Sequence, residues 1–148
     1  MKPGIDYIGV TVSFYCHDGQ GNWLMHKRSN KCRDEWGVWD VGGGKLEWGE
    51  DLDEAVLREV REEYGVDGLL QERLPPFCIF RELPDGTKTH WLCISHVILV
   101  DRSKVIIGEP EKMDELGWFR LGEFPDPHHK ANKIVLERCG DRLQKYCP

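Results

Sequence analysis

GKLEWGEDLDEAVLREVREEYGV, from Gly44 to Val66, is the stretch that decides the fold. Apolar residues recur at every fourth position in its second half, at Leu52, Val56, Val60 and Tyr64. This period is typical of an amphipathic helix. Asp51 and Glu54 have the spacing of a capping box at a helix start, and Gly65 is a typical helix end. The stretch therefore predicts a helix from Asp51 to Tyr64, preceded by a glycine-containing loop.

The rest of the chain alternates between strand-like and helical patterns. A predicted hairpin joins runs 7–16 and 23–28, and a second hairpin joins 77–82 and 88–100 around the turn 84–87. Residues 115–119 predict a short strand, and residues 130–146 predict a helix. Because strands outnumber helices and the two are mixed in order, the predicted class is α/β or α+β, with a mixed sheet packed between helices.

Three glutamates lie along one side of the predicted helix. At 100° per residue, Glu59, Glu62 and Glu63 fall within about one third of the helix circumference, bordering the apolar stripe. Three like charges held this close repel one another unless water and salt, or a divalent cation, compensate them. Most clusters of this kind are solvated helix faces. In a sheltered site, oxygen ligands would instead select a hard cation such as Mg²⁺ or Mn²⁺ over zinc or copper.

The residues before the helix complete a longer pattern, G-x5-E-x7-R-E-U-x-E-E-x-G-U, where U is a bulky aliphatic residue. All of its specified positions are met, by Gly44, Glu50, Arg58, Glu59, Val60, Glu62, Glu63, Gly65 and Val66. The chance of such a match in a chain of this composition is on the order of 10⁻⁶. The pattern is that of the Nudix box, and the chain resembles the Nudix hydrolases.

The resemblance extends over most of residues 5–125, with the box itself at 44–66. The strand pair before the box, the approach from Trp39 to Gly44 and the segment 109–119 are also similar to family features. One departure is Gly42, where many members carry proline. The resemblance implies a Nudix-type mixed sheet sandwiched between helices, in one domain over residues 1–148.

The resemblance also implies a chemistry for the box residues. Family members use water to cleave a phosphoanhydride in a nucleoside diphosphate linked to another group, with Mg²⁺ present. Glu59, Glu62 and Glu63 are the implied ligands of Mg²⁺ or Mn²⁺, and a carbonyl of Gly43 or Gly44 is a further candidate. Glycine suits this role because the backbone can approach a metal or phosphate closely.

Arg58 is implied to pair with Glu50 or Glu62 and hold these carboxylates in ligating geometry. The general base stays open between Glu59 or Glu63 in the box and a glutamate in a distant loop. In that loop, Glu111 or Glu109 could supply a base or a further metal ligand, and the alternative is a solvated turn around Pro110.

Three residues outside the box helix are candidates for substrate binding. Arg28, at a strand end, could reach a phosphate or a base, although a surface arginine is the alternative. The backbone of Gly43 could approach the phosphates. Trp118 could stack on a nucleobase, although core packing is the more common role of a tryptophan.

The box leaves three functions open. The first is the MutT-like one, hydrolysis of a nucleoside di- or triphosphate that releases a nucleoside monophosphate. The second is the same chemistry on ADP-ribose or another nucleotide sugar. The third is a nucleotide-binding module without catalysis, a class in which the box carboxylates are usually altered. All three carboxylates, Glu59, Glu62 and Glu63, are intact in this chain, so we expect an enzyme.

Composition narrows the range of partners. The formal net charge of the 148 residues is −6, which argues against binding to nucleic-acid polymers, since such binding neutralises phosphates with Lys and Arg. No apolar run approaches the roughly 18 residues of a membrane helix. The N-terminus lacks the pattern of a signal peptide, so we expect a cytoplasmic protein. Many family members are homodimers, and the resemblance leaves a homodimer open here.

The six cysteines show no CxxC pair. We therefore expect reduced thiols, mostly small buried hydrophobes such as Cys78 and Cys93. No pairs of Cys and His have the spacing of zinc ligands. His128 and His129 precede the last predicted helix, and we interpret them as a solvated helix start.

Overall fold

The centre of the structure is an eight-stranded mixed sheet, and the computed structural model describes all residues, 1–148. In chain order the elements are β1 (Gly9–His17), β2 (Asn22–Arg28), β3 (Trp39–Asp40), β4 (Gly42–Lys45), α1 (Leu52–Tyr64), β5 (Leu69–Arg73), β6 (Phe77–Glu82), β7 (Lys88–Leu99), β8 (Met113–Arg120) and α2 (Lys130–Gln144). A single 3₁₀ turn, Arg102–Lys104, follows β7.

β1 and β7 form the parallel centre of the sheet, in register from Gly9 opposite Trp91 to His17 opposite Leu99. All the other pairings are antiparallel. β1 also pairs with β2 and β4, β2 pairs with β3 and β8, and β7 pairs with β5 and β6. The side chains of β1 and β7 alternate between the two faces of the sheet, so both faces need cover.

The two helices cover opposite faces. On one face, Val56, Val60 and Tyr64 of α1 pack against Phe14 of β1 and Ile98 of β7. On the other face, α2 contributes three residues to a core with Tyr15 and Val97, namely Val135, Cys139 and Leu143. The predicted sheet between helices is therefore confirmed.

The predicted elements are present, with small shifts at their ends. The helix over 51–64 begins one residue later than predicted, at Leu52, and ends where predicted, at Tyr64, and Gly65 follows in the left-handed region with φ 65°. Both hairpins form. The capping box does not form, because Asp51 stands at the N-cap but its side chain makes no capping hydrogen bond. β5 was not predicted from the sequence, since its inward positions are only half-buried.

Cys78 and His129 differ from expectation in burial. Cys78 is exposed, because it occupies the outward phase of β6 between the buried Phe77 and Ile79. Cys93 is buried as predicted. His129 does begin α2, where its Nδ1 accepts from the Ala131 N–H, but it is buried rather than solvated.

Neither helix has the length and apolar character needed to cross a membrane.

A polar cluster around Glu72 attaches α2 to the sheet. Glu72, on β5, accepts hydrogen bonds from the Tyr146 hydroxyl at 2.6 Å and from Arg142 Nε at 2.5 Å, and Lys145 Nζ lies 3.1 Å away. The hydrogen bond from Tyr146, with those from Lys145 and Arg142, lowers the pKa of Glu72 to about 2. The cluster therefore stabilises the folded state with Glu72 ionised.

We predict that Glu72→Gln lowers the free energy of unfolding by about 1 kcal/mol at pH 7. Because the folded pKa is depressed, the contribution is present above the unfolded pKa near 4.5 and is lost as the pH falls towards 2. Urea unfolding at pH 7 and pH 3 measures both effects. Glu137→Gln, on the exposed side of α2, is the control. Equal destabilisation by the two variants would contradict this account of the cluster.

Candidate active site

Helix α1 and strand β4 approach each other so closely that no side chain fits at Gly42 or Gly44. A Cβ on Gly44 would lie 2.2 Å from the carboxylate carbon of Glu59, and a Cβ on Gly42 would lie 1.9 Å from the ring of Phe14 and 2.4 Å from Glu63 Oε2. The Gly43 N–H donates to Glu63 Oε2 at 3.1 Å. The glycines thus place two carboxylates of the helix directly against strand backbone.

Glu59 and Glu63 are on the buried face of α1, with relative exposures of 9% and 6%, whereas the Glu62 side chain is 50% exposed. Burial raises the pKa of Glu63 well above its usual value, and the neighbouring carboxylates of Glu59 and Glu109 raise it further. Burial also raises the pKa of Glu59, although Arg58 opposes the shift. Two buried carboxylates side by side are costly unless a cation compensates them.

Arg58 links the carboxylates of the box. Its Nε and Nη2 donate to Glu50 at 2.6 and 2.9 Å, a bidentate pair, and its Nη1 donates to Glu59 at 2.9 Å and to Glu62 at 3.2 Å. The bonds from Arg58 lower the pKa of Glu50 to about 2. Arg58 therefore contacts both of the carboxylates, Glu50 and Glu62, that the resemblance offered as its partner.

The donor set suits a hard cation. No three side chains of His, Cys, Asp or Glu converge closely enough in this arrangement to hold a metal ion, and Arg58 engages oxygens of both Glu59 and Glu62. The side chains that could supply oxygen ligands to Mg²⁺ or Mn²⁺ after rearrangement are those of Glu59, Glu62 and Glu63. The Gly44 carbonyl accepts from Thr11 Oγ1 at 2.9 Å and keeps a second lone pair for a metal. All of these are oxygen ligands, as hard cations prefer.

The loop before β8 brings a further carboxylate and a cation to this cluster. The charge of Glu109 raises the pKa of both Glu59 and Glu63. Lys112 Nζ lies 3.3 Å from Glu109. Although burial lowers the pKa of Lys112, the charges of Glu109, Glu63 and Glu59 raise it above its usual value. The side chain of Glu111 points to solvent, and only its backbone carbonyl is engaged, by Ser29 Oγ. The structure therefore favours Glu109 over Glu111 as the loop carboxylate of the site.

A cleft of about 590 Å³ opens beside these residues. Gly43, Gly44, Glu63 and Lys112 line one part of it. Other lining residues come from the core under α2 and from β6, namely Tyr15, Phe77, Ile79, Arg81, Asn132 and Val135. The cleft thus joins the carboxylate cluster to a region of aromatic and aliphatic side chains, which is the composition of a small-molecule site.

Comparison with known proteins identifies the family of the chain. A family model described as "NUDIX domain" matches residues 8–139. The chain belongs to the NUDIX family. Helix α1 and the loop before it carry the residues of the Gly44–Val66 pattern.

Two solved structures illustrate the likeness. A MutT NUDIX hydrolase from Burkholderia pseudomallei is 28% identical, with a TM-score of 0.74 over 90% of this chain and 99% of that one. A MutT protein from Methanosarcina mazei Go1 is 26% identical, with a TM-score of 0.70 over 93% and 96% of the two chains.

A further relative, the ADP-ribose pyrophosphatase of Saccharomyces cerevisiae, is 27% identical over 135 residues. The match covers 88% of this chain and 57% of that protein, so the chain spans little more than half the length of this relative. Nudix hydrolases, as a family, act on small nucleotide substrates and are generally dependent on divalent metals.

Of the three predicted substrate-binding residues, two line the cleft and one does not. Arg28 and Gly43 line the cleft. Arg28 is held by Asp34 and Asp40, with its Nη2 3.2 Å from Asp34 Oδ1 and its Nη1 3.4 Å from Asp40 Oδ2. Trp118 lies outside the cleft, because its phase on β8 directs it to the core under α1, where Arg102 stacks on its ring at 4.9 Å. That Trp118 stacks on a base therefore stays a prediction.

The structure adds four cleft residues that the sequence did not indicate, namely Asp34, Arg81, His129 and Asn132, and Glu35 contacts two of them. Arg81 pairs with Asp34 at 2.8 Å and with Glu35 at 3.2 Å, and Glu35 also binds His129 Nε2 at 2.6 Å. Asn132 is buried and accepts from the Tyr15 hydroxyl at 3.1 Å. The sequence could have indicated Arg81 and Asn132 as site residues, because each is a polar residue at an inward position of its strand or helix. Asp34 and Glu35 belong to an irregular loop, where no sequence pattern indicates a role.

We predict that Gly44→Ala lowers turnover by about 100-fold, because the new methyl group must displace the Glu59 carboxylate. Hydrolysis of a nucleotide substrate with Mg²⁺ measures this effect, and circular dichroism checks the fold. Gly140→Ala on α2 is the matched control, since a Cβ there meets nothing within 4 Å. Full activity of Gly44→Ala would contradict the need for close approach.

Proposed function

We propose that this chain is an Mg²⁺-dependent pyrophosphohydrolase that cleaves a phosphoanhydride bond in a nucleoside di- or triphosphate and releases a nucleoside monophosphate. The observation that carries the proposal is the buried pair Glu59 and Glu63, which lies against the glycines of β4, with Glu63 lining the cleft. The likeness to two MutT proteins over nearly their full lengths supports this branch of the family.

Each residue of the cluster has a role in the proposal. Glu59, Glu62, Glu63 and the Gly44 carbonyl hold the cation. When bound, the cation neutralises the diphosphate and lowers the pKa of water. Arg58 and Glu50 are positioning residues that keep the carboxylates in place through the bidentate pair. Lys112 supplies a positive charge beside the cluster, where it would stabilise the negative charge of a phosphate oxygen.

The general base takes the proton of the attacking water. Glu59, Glu63 and Glu109 are its candidates, because all three lie together at the cluster.

A second candidate function is hydrolysis of ADP-ribose or another nucleotide sugar. The supporting observation is the relative from Saccharomyces cerevisiae, an ADP-ribose pyrophosphatase. Both candidates use the same cluster and differ in the group beyond the diphosphate. The products distinguish them, since a triphosphate gives a monophosphate and pyrophosphate, whereas ADP-ribose gives AMP and ribose phosphate. Chromatography and phosphorus NMR with a panel of nucleotides, ADP-ribose and sugar nucleotides read these products.

We predict that Glu62→Gln and Glu63→Gln each lower turnover by about 10²–10³-fold, because the amide removes a charged ligand of the cation. Glu54→Gln is the matched control, since Glu54 is an exposed glutamate of the same helix outside the cluster. Steady-state hydrolysis with Mg²⁺ and with Mn²⁺ measures the loss, and thermal unfolding checks the fold. Substantial activity in both box variants would overturn the metal-ligand assignment.

A further inference from the structure

Cationic side chains are concentrated in the cleft, although the chain as a whole is acidic. Seven of the 20 lysines and arginines line the cleft, against three of the 26 aspartates and glutamates. The lining therefore carries an excess of positive charge in a chain whose formal net charge is −6. A cleft lined mainly by one sign of charge concentrates ligands of the opposite sign. This distribution favours a ligand with several negative charges.

Four of the seven cationic side chains have no carboxylate partner. The other three, Arg28, Arg81 and Lys112, form ion pairs within the chain. The four without a carboxylate oxygen within 4.0 Å are Lys2, Lys31, Arg33 and Lys45. A lysine or arginine without a partner is free to form charge-assisted hydrogen bonds with phosphate oxygens.

Lys31 and Arg33 lie together on the loop between β2 and β3, and the backbone of this loop is attached to Lys112. The Ser29 N–H and the Cys32 thiol both donate to the Lys112 carbonyl, at 3.0 and 3.3 Å. Lys31 and Arg33 are exposed, so a ligand in the cleft can contact both of them. The loop thus holds two unpaired cations beside Lys112.

The other end of the loop is fixed by two arginines. Arg28 Nη2 donates to the Asp34 carbonyl at 3.0 Å, and Arg81 Nη1 donates to the Asp34 carboxylate at 2.8 Å. Asp34 is the one carboxylate of this loop that lines the cleft, and the two arginines compensate its charge. Both ends of the loop are therefore anchored, and its positive charge at the cleft is not cancelled.

Lys112 links the loop to the carboxylate cluster. Its Nζ lies 3.3 Å from Glu109, and its carbonyl accepts the two hydrogen bonds from the loop. Under the proposed function, the phosphates of the cleaved anhydride lie at the cluster, where Glu59 and Glu63 would hold the cation. The negative charge of a nucleotide sugar ends with these two phosphates. A triphosphate carries one phosphate more, and the two cations of the loop supply positive charge for it.

We propose that Lys31 and Arg33 are specificity-determining residues that bind the terminal phosphate of a nucleoside triphosphate. The site then prefers triphosphates over nucleoside diphosphates and over nucleotide sugars such as ADP-ribose, whose two phosphates are flanked by uncharged groups. This inference rests on the proposed function and selects one substrate class within it.

The test is binding of uncleavable analogues with Mg²⁺, measured by calorimetry on the full chain. α,β-Methylene-ATP and α,β-methylene-ADP form a matched pair, because they differ only in the terminal phosphate and have no anhydride between the first two phosphates. The corresponding guanine pair removes any dependence on the base. The variant of the loop combines Lys31→Gln with Arg33→Gln. The control combines Lys133→Gln with Arg138→Gln, which makes the same change in charge at exposed positions of α2 outside the cleft.

We expect the triphosphate analogue of at least one base to bind the unmodified chain at least about tenfold more tightly than its diphosphate partner. This preference should disappear in the loop variant and persist in the control, with the diphosphate analogue bound equally by all three proteins. Circular dichroism checks the fold of both variants.

Several results would overturn the inference. They are equal binding of the two analogues by the unmodified chain, no measurable binding of either triphosphate analogue, and a preference that survives in the loop variant. An equal loss of both analogues in the loop variant also overturns it, since that result assigns the loop a general role rather than a role towards the terminal phosphate. The same holds if the control variant loses the preference as well.

Failure of the proposed function gives a different result. If no nucleotide is hydrolysed with Mg²⁺ or Mn²⁺ while the loop variant abolishes the preference for the triphosphate analogue, the hydrolysis proposal fails and the role of Lys31 and Arg33 stands. If ADP-ribose is hydrolysed and the two analogues bind equally, hydrolysis stands and the preference for triphosphates fails.

Discussion

The carboxylates of Glu59 and Glu63 are buried against the backbone of β4, and the rest of the site depends on this contact. Burying two like charges together is unfavourable unless their charge is compensated. The chain provides one hydrogen bond from Gly43 and one guanidinium, Arg58, which leaves the pKa of both carboxyl groups raised. A divalent cation would supply the missing compensation. The same property that costs stability thus supports the proposal that the site binds a metal.

The fold supports this contact from several sides. β4 pairs with β1, so the glycines belong to the central sheet rather than to a free loop. α1 is fixed by its apolar stripe on the same face of the sheet, and the backbone N–H of Gly108 donates to the Glu63 carbonyl at 2.7 Å. That bond ties the loop with Glu109 and Lys112 to the end of the helix. The cluster is therefore built on regular elements, which suits a site that must hold charges in fixed positions.

The local pattern was sufficient to predict the box and most of the fold. The helix period, the glutamate spacing and the glycines lie within 23 residues, from Gly44 to Val66, so their geometry follows from one helix and one turn. The sequence also indicated Arg58 as a partner of the box carboxylates. Strand phase was harder to assign. Cys78 was predicted to be buried but is exposed, because a short strand of mixed residues does not show which face is buried.

The second half of the cleft could not have been predicted in the same way. Arg81, Glu35 and His129 meet there from β6, the loop before β3 and the start of α2. Their contacts span long separations in the chain and form only when the sheet and α2 are assembled. The hydrophobic period of a single segment therefore cannot predict these contacts. The polar residues in inward positions, Arg81 and Asn132, were the only local sign of it.

We propose that the buried glutamates of α1 bind a divalent cation. A Mn²⁺ titration followed by electron paramagnetic resonance tests this, with the unmodified chain and with Glu63→Gln, whose fold is checked by circular dichroism. We expect the unmodified chain to bind Mn²⁺ and Glu63→Gln to weaken the binding by more than about tenfold. Equal binding of Mn²⁺ by the two proteins would contradict it.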